Sequence, residues 1–115
     1  MKPDHVRGHL DMLLLAVLAA GPQHGYAAIA TLRDRSGGAF DLPEGTIYPA
    51  LHRLEEAGLL ASSWAQAEGR RRRVYALTDG GVAALSAQRT QWRAFERGMQ
   101  SVLGWPAQTA LGWSA

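Results

Sequence analysis

The sequence predicts a mainly α-helical fold with one small β-hairpin, and two observations carry that prediction. Apolar residues recur at helical spacing in three short segments and in one long segment near the C-terminus. Two runs with β-strand character lie between the third and fourth segments, separated by a turn signal. The predicted order is therefore three short helices, a two-stranded hairpin and a final long helix.

The first predicted helix is apolar on nearly all sides. Residues three and four apart form its main apolar face: Leu10, Leu13, Leu14, Val17 and Leu18. Met12 and Leu15 cover part of the other side. A helix of this kind requires burial on two sides, and Gly21-Pro22 ends it.

The second helix is predicted from Gly25 to about Arg35, and the third ends at Gly58, a residue typical of C-terminal caps. The third helix has one apolar stripe, formed by Ile47, Ala50, Leu51, Leu54 and Ala57. Pro49 also lies in this segment. It is tolerated if the helix starts near Gly45 or Thr46, because first-turn N–H groups have no intrahelical partner.

The two β-like runs are Leu59–Ala65 and Arg73–Leu77, and Glu68-Gly69 between them predicts a turn. Thr78-Asp79 then indicates a helix N-cap followed by a first-turn acid. The last helix is predicted from about Asp79 to Leu103. Its apolar residues follow a heptad seam: Leu85, Trp92, Phe95, Met99 and Val102.

Composition excludes several classes of site. The chain has no cysteine, which removes disulfides, thiolate metal sites and a cysteine nucleophile. No catalytic motif or phosphate loop is present, so we expect no enzyme activity, no catalytic residue and no cofactor. His5 and His9 are spaced to share a metal ion on a helix, but no third ligand is near, so we expect no metal. The longest apolar run, Met12–Ala20, is far shorter than the roughly 20 residues of a membrane span. We therefore expect a soluble, cytoplasmic protein.

Positive charge is concentrated in the second part of the chain. Residues 1–69 contain five Lys/Arg and eight Asp/Glu, whereas residues 70–115 contain seven and two. Four of the seven form the run Arg70–Arg73, which is predicted to lie at the tip of the hairpin. A concentrated basic surface of this kind favours a polyanionic partner; the alternative is a solvated charge run on an exposed turn.

Three helices followed by a hairpin is the order of a winged helix-turn-helix. In that fold the third helix enters the major groove of DNA and the hairpin, or wing, contacts the flanking backbone. The prediction assigns these roles to a reading helix at about 44–57 and an arginine-rich wing at 69–73. Two other classes stay open: a winged helix that contacts another protein, and a small enzyme or metal carrier. A protein-binding version has no need for four arginines on the wing.

Longer motifs add a resemblance to a known family. The segment Pro43–Leu59, which reads PEGTIYPALHRLEEAGL, resembles the third-helix signature of the PadR-like transcriptional regulators. The segments Leu10–Leu18, His24-Gly25-Tyr26 and Gly69–Gly81 resemble that family's first two helices, wing and start of the dimer helix. The resemblance covers about residues 8 to 82. It implies a homodimeric repressor that responds to an effector, from the branch with a short C-terminal region.

The resemblance and the basic run together predict the DNA contacts. The expected residues are Thr46, Tyr48, His52, Arg53, Arg70, Arg71, Arg72 and Arg73. Tyr48 would reach a phosphate through its hydroxyl, or alternatively pack against the second helix. Arg53 would read guanine or bind a phosphate, or alternatively pair with Glu56. The expected partner is double-stranded DNA with a pseudo-palindromic operator.

The last helix is predicted to hold the dimer. We expect a winged domain at 1–78, a dimerisation helix at 79–104 and a tail at 105–115 with little to order it. The expected interface consists of Met12, Leu15, Leu85, Trp92, Phe95, Met99 and Val102. A planar aromatic effector would bind there against Trp92, Phe95 and Met99. The alternative is that Trp92 is simply the largest core residue of the interface.

Overall fold

The computed structural model describes residues 9–104. Its elements in chain order are α1 (Leu10–Ala19), β1 (Gln23–His24), α2 (Gly25–Arg35), α3 (Glu44–Glu56), β2 (Leu60–Ala67), β3 (Arg70–Leu77) and α4 (Asp79–Leu103). This confirms the predicted mainly α fold with a small sheet and a long C-terminal helix. The predicted tail and His5 lie outside the described residues. The chain divides into two compact units between Leu85 and Ser86.

Helix α1 lies at the centre of the core. It contacts α2, α3 and β3, so the two-sided burial expected of an apolar helix is confirmed. The largest fully buried side chains of the first unit are Leu14, Leu15, Ile47, Leu51, Leu54 and Tyr75. Leu42, in the connector between α2 and α3, is also buried and packs in the same core.

Two residues predicted for the dimer interface belong to this core instead. Leu15 is 0% exposed and Leu85 is 2% exposed, and both pack in the cluster built around α1. Neither side chain is therefore available to a second copy, and that part of the interface prediction was wrong. Met12, on the same helix, is only partly buried and remains available.

The sheet has three strands rather than two, in the order β1-β3-β2. β1 is antiparallel to β3 and pairs Gln23 with Tyr75. The sequence analysis missed β1 because two residues give no alternating pattern. β2 and β3 also extend further than predicted, and a two-residue turn joins them at Glu68-Gly69, both with positive φ (56° and 75°). The arginine run therefore lies along β3 and not at the tip of the hairpin.

The explanation offered for Pro49 was also wrong. α3 begins at Glu44, so Pro49 is its sixth residue and lies beyond the first turn. Because proline has no N–H, the carbonyl of Gly45 lacks the donor four residues further on. Both residues are exposed, so water can bond this carbonyl, and the helix continues to Glu56.

The start of α4 is fixed to the start of the hairpin. The Thr78 hydroxyl donates to the Gly58 carbonyl (2.6 Å) and accepts from the Gly81 N–H (3.0 Å), which confirms the predicted N-cap. The Thr78 N–H also donates to the Leu59 carbonyl at 3.1 Å. Helix and strand approach so closely that a Cβ on Gly81 would overlap this carbonyl oxygen.

We therefore expect Gly81→Ala to destabilise the protein. Its Cβ would displace the Leu59 backbone, and the free energy of unfolding should fall by about 1–3 kcal/mol. Gly98→Ala in the same helix has open space around it and should gain about 0.5–1 kcal/mol instead. Chemical denaturation of both variants checks this. Equal effects would contradict the close approach.

Candidate nucleic-acid interface

Helix α3 buries one side and exposes the other. Ile47, Ala50, Leu51 and Leu54 are buried, which leaves Gly45, Pro49, His52 and Glu56 on the exposed side. At 100° per residue, Thr46 and Arg53 lie on one flank of this exposed side and Tyr48 lies on the other. The four predicted α3 contacts therefore border one accessible surface.

Tyr48 packs against the start of α2. Its phenol lies so close to Gly25 that a Cβ there would overlap the ring, and its edge meets Tyr26 at 6.2 Å between centroids. This is the packing alternative raised by the sequence. Burial raises the pKa of Tyr48, and nearby Tyr26 and Glu44 raise it further. The phenol therefore keeps its proton and remains a hydrogen-bond donor.

Arg53 reaches across to helix α1. Its Nη2 lies 2.6 Å from the Asp11 carboxylate, so the ion-pair partner is Asp11 rather than Glu56. The Arg53 and Asp11 side chains are 57% and 42% exposed. An exposed pair contributes only about 0–1 kcal/mol, so a phosphate can compete for the same guanidinium.

The arginine run on β3 divides between two faces of the strand. Arg71 and Arg73 both lie over the Trp64 ring, at 5.1 and 5.3 Å from its centroid. Arg72 lies over Tyr26 at 5.5 Å. Its Nη2 is also 3.6 Å from the Glu68 carboxylate. The alternation expected of a strand is therefore present, and the two faces hold their arginines in different ways.

A chain of hydrogen bonds ties the wing to α3. The Arg73 Nε donates to the Ser62 hydroxyl at 2.9 Å, and that hydroxyl donates to the Glu55 carboxylate at 2.7 Å. Glu55 lies in the last turn of α3, and Ser62 lies on β2. The position of the hairpin is thus linked to the helix by polar contacts as well as by the core.

His24 links the start of α2 to the hairpin turn. Its Nδ1 accepts the Ala27 N–H at 3.2 Å and so caps α2. Its Nε2 lies 3.6 Å from the Glu68 carboxylate. The hairpin, β1, α2 and α3 border an open cavity of about 220 Å³, lined by His24, Gly25, Tyr48, Trp64, Arg70, Arg71, Arg72 and Arg73.

Sequence reasoning missed Trp64, Ser62 and Tyr26 as members of this surface. The available signal for Trp64 was an aromatic residue in a β-like run next to a strand of arginines. The contacts of Trp64 depend on the register between β2 and β3, which could not be predicted from the sequence. Tyr26 contacts Tyr48 of α3, with 6.2 Å between ring centroids, and is 50% exposed.

The second unit carries the exposed part of the predicted seam. Trp92 and Phe95 are in contact, with ring centroids 5.5 Å apart. Phe95, Met99 and Val102 are 55%, 44% and 86% exposed. They recur at i, i+4 and i+7, so they form one apolar stripe on this part of α4.

Other site classes find no support in residues 9–104. No group of three or more His, Asp or Glu side chains there is arranged to hold a metal ion. Among the helices of that range, none combines the length and apolarity needed to cross a bilayer. The described surface is thus distinguished by its arginines and its exposed aromatic rings.

The chain is similar in sequence to known transcriptional regulators. The family model described as "Transcriptional regulator PadR-like family" matches residues 14–87. A transcriptional regulator of Mycobacterium tuberculosis is 44% identical over 78 residues, which are 68% of this chain and 70% of that protein.

Solved structures agree in fold. A PadR family transcriptional regulator from Eggerthella lenta is 35% identical, with a TM-score of 0.75 over 87% of this chain and 86% of that one. A PadR family transcription regulator from Clostridium difficile is 32% identical, with a TM-score of 0.74 over 83% and 98%. Members of this family regulate transcription, which implies DNA binding, and are not enzymes. The chain belongs to the PadR-like family of transcriptional regulators.

Proposed function

We propose that this regulator is a homodimeric repressor that binds a pseudo-palindromic operator and is released by a small molecule. α3 lies in the major groove, and the β2–β3 hairpin lies on the flanking phosphates. One observation carries this proposal: the four arginines of β3 and Tyr48 of α3 border the same cavity. A single DNA backbone passing this cavity meets both elements.

The chemistry of the bordering side chains suits a phosphodiester. Each guanidinium offers planar N–H donors that match phosphate oxygens. The protonated Tyr48 phenol offers a further donor. Thr46, His52 and Arg53 lie along the exposed side of α3, where they face base edges once the helix enters the groove. Backbone contacts then supply affinity, and α3 supplies sequence preference.

The dimer is proposed to form through α4. The winged domain is assigned to residues 1–78 and the dimerisation helix to 79–104. The stripe of Phe95, Met99 and Val102 packs against the same stripe of a second copy, and Met12 offers it a further apolar contact. Two-fold symmetry then presents two reading helices to half-sites about one helical turn apart.

The effector is proposed to bind at this dimer interface. The Trp92–Phe95 pair supplies flat aromatic faces, and Met99 supplies an adaptable thioether. These groups suit a planar apolar or cationic molecule. A ligand bound there shifts the equilibrium between two spacings of the reading helices. The size of that shift is set by the difference in its affinity for the two spacings.

DNA affinity should depend steeply on salt. If the dimer neutralises about 6–10 phosphates, log K should fall with log[salt] with a slope of about −5 to −9. The double variant Arg71→Ala/Arg73→Ala removes four cations per dimer, so the slope should become shallower by about 3–4. Fluorescence anisotropy on a duplex selected from a random pool measures this.

Two controls sharpen that experiment. Arg93→Ala/Arg97→Ala removes the same charge from α4 and should leave most of the slope intact. Thr46→Ala should change the preferred sequence and leave the slope unchanged. A shallow slope for the folded wild type would rule out the proposed DNA contacts.

Charge on the apolar stripe should break the dimer. Phe95→Glu/Val102→Glu places four carboxylates per dimer at the proposed contact, where burial of unpaired charge is costly. Sedimentation should then show a monomer. Thr90→Glu/Ser101→Glu adds the same charge to the opposite side of α4 and should remain dimeric. The interface assignment fails if the stripe variant sediments as the wild type does.

Tryptophan fluorescence tests the effector site. Titration with a planar cationic dye should quench the wild type more strongly than Trp92→Leu, and bound dye should lower DNA affinity. Trp64, Trp105 and Trp113 also emit, so only the difference between the two proteins counts. Equal quenching, or dye binding that leaves DNA affinity unchanged, would make Trp92 a purely structural residue.

A further inference from the structure

Trp64 lies beneath two arginines of the neighbouring strand. It is directly opposite Arg73 in the β2–β3 register and diagonal to Arg71. Both guanidinium carbons are within 5.5 Å of the ring centroid, at 5.1 Å for Arg71 and 5.3 Å for Arg73. One indole therefore holds two like charges on one face of the hairpin.

The core does not account for this tryptophan. Its side chain is 54% exposed and is not part of the buried cluster. Two arginines on the same face repel each other, and each long side chain has many conformations in water. The indole opposes both effects, because the ring face attracts cations. The hydrogen bond from Arg73 to Ser62 adds a second restraint.

The geometry leaves the arginines able to bind anions. A guanidinium that contacts a ring with its face keeps the N–H donors in its plane for other acceptors, and Arg73 uses only one of its five donors, Nε–H, on Ser62. The ring contact and a bidentate phosphate contact can therefore exist together. Nothing in the arrangement requires an arginine to leave Trp64 before it meets DNA.

We propose that Trp64 is a positioning residue of the DNA interface, which holds the Arg71 and Arg73 guanidiniums ready for neighbouring phosphates of the operator backbone. The inference rests on the proposed DNA-binding function and adds a residue to it. Ordering in advance removes part of the conformational cost that each long side chain pays when it is immobilised on binding.

The first test replaces the indole. Trp64→Leu should weaken DNA binding by at least about fivefold, with an unchanged salt slope because every cation is still present. Trp64→Phe keeps an aromatic face and should recover most of the affinity. Ser63→Ala, on the opposite face of β2, is the matched control and should bind as the wild type does. Circular dichroism confirms folding, and Trp64→Gln replaces the leucine variant if that one does not fold.

A double-mutant cycle separates positioning from direct contact. In the Arg71→Ala/Arg73→Ala background, Trp64→Leu should have no further effect, because Trp64 acts through these arginines. A loss of the same size in both backgrounds would show that the indole itself contacts DNA, and would overturn the inference. Unchanged or tighter binding by a folded Trp64→Leu protein in the wild-type background would overturn it as well.

Failure of the proposed DNA binding and failure of the proposed role of Trp64 give different results. A wild type that does not bind duplex DNA overturns the proposed function and this inference with it. A wild type that binds with a steep salt slope, loses slope in Arg71→Ala/Arg73→Ala and is insensitive to Trp64→Leu overturns only the role of Trp64.

Discussion

The burial of Tyr75 fixes how the arginine strand is presented. Tyr75 is 1% exposed and lies on β3, which is hydrogen-bonded to β1 on one edge and to β2 on the other. Because side chains alternate along a strand, Arg73 and Arg71 share the side of Tyr75, and Arg72 lies on the other side. A slip of one residue would exchange the two sets and expose the phenol. The burial of Tyr75 thus determines which guanidiniums contact Trp64.

Helix α3 contacts a neighbouring helix on each of its flanks. On one flank Arg53 is paired with Asp11 of α1. On the other, Tyr48 fits against Gly25, where any larger residue would collide with the phenol. Residues that complete the packing of the three helices therefore also set the surface of α3 that we propose to face DNA. His24 belongs to the same arrangement, since it caps α2 and lies near the hairpin turn.

The sequence predicted the order of the helices and strands well, and the contacts between residues far apart in the chain poorly. Glycine, proline and capping residues act locally, so the helix bounds agree with the structure to within a residue or two. The two-residue β1 has no periodicity to detect. The Arg53–Asp11 pair spans 42 residues. The contacts of Trp64 with Arg71 and Arg73 depend on the register between β2 and β3. Neither can be predicted from a local sequence pattern. α1 is apolar all round, so the pattern could not say that Leu15 faces the protomer's own core.

The central claim is that β3 brings its arginines to the backbone beside the groove that α3 reads. Phosphate-ethylation interference on a duplex selected from a random pool tests it most directly. The account predicts, in each half-site, phosphates bordering one major groove and a second, flanking set. The flanking set should lose its interference in Arg71→Ala/Arg73→Ala, while the groove set persists. Flanking interference that is absent from the wild type, or unchanged in this variant, would contradict the account.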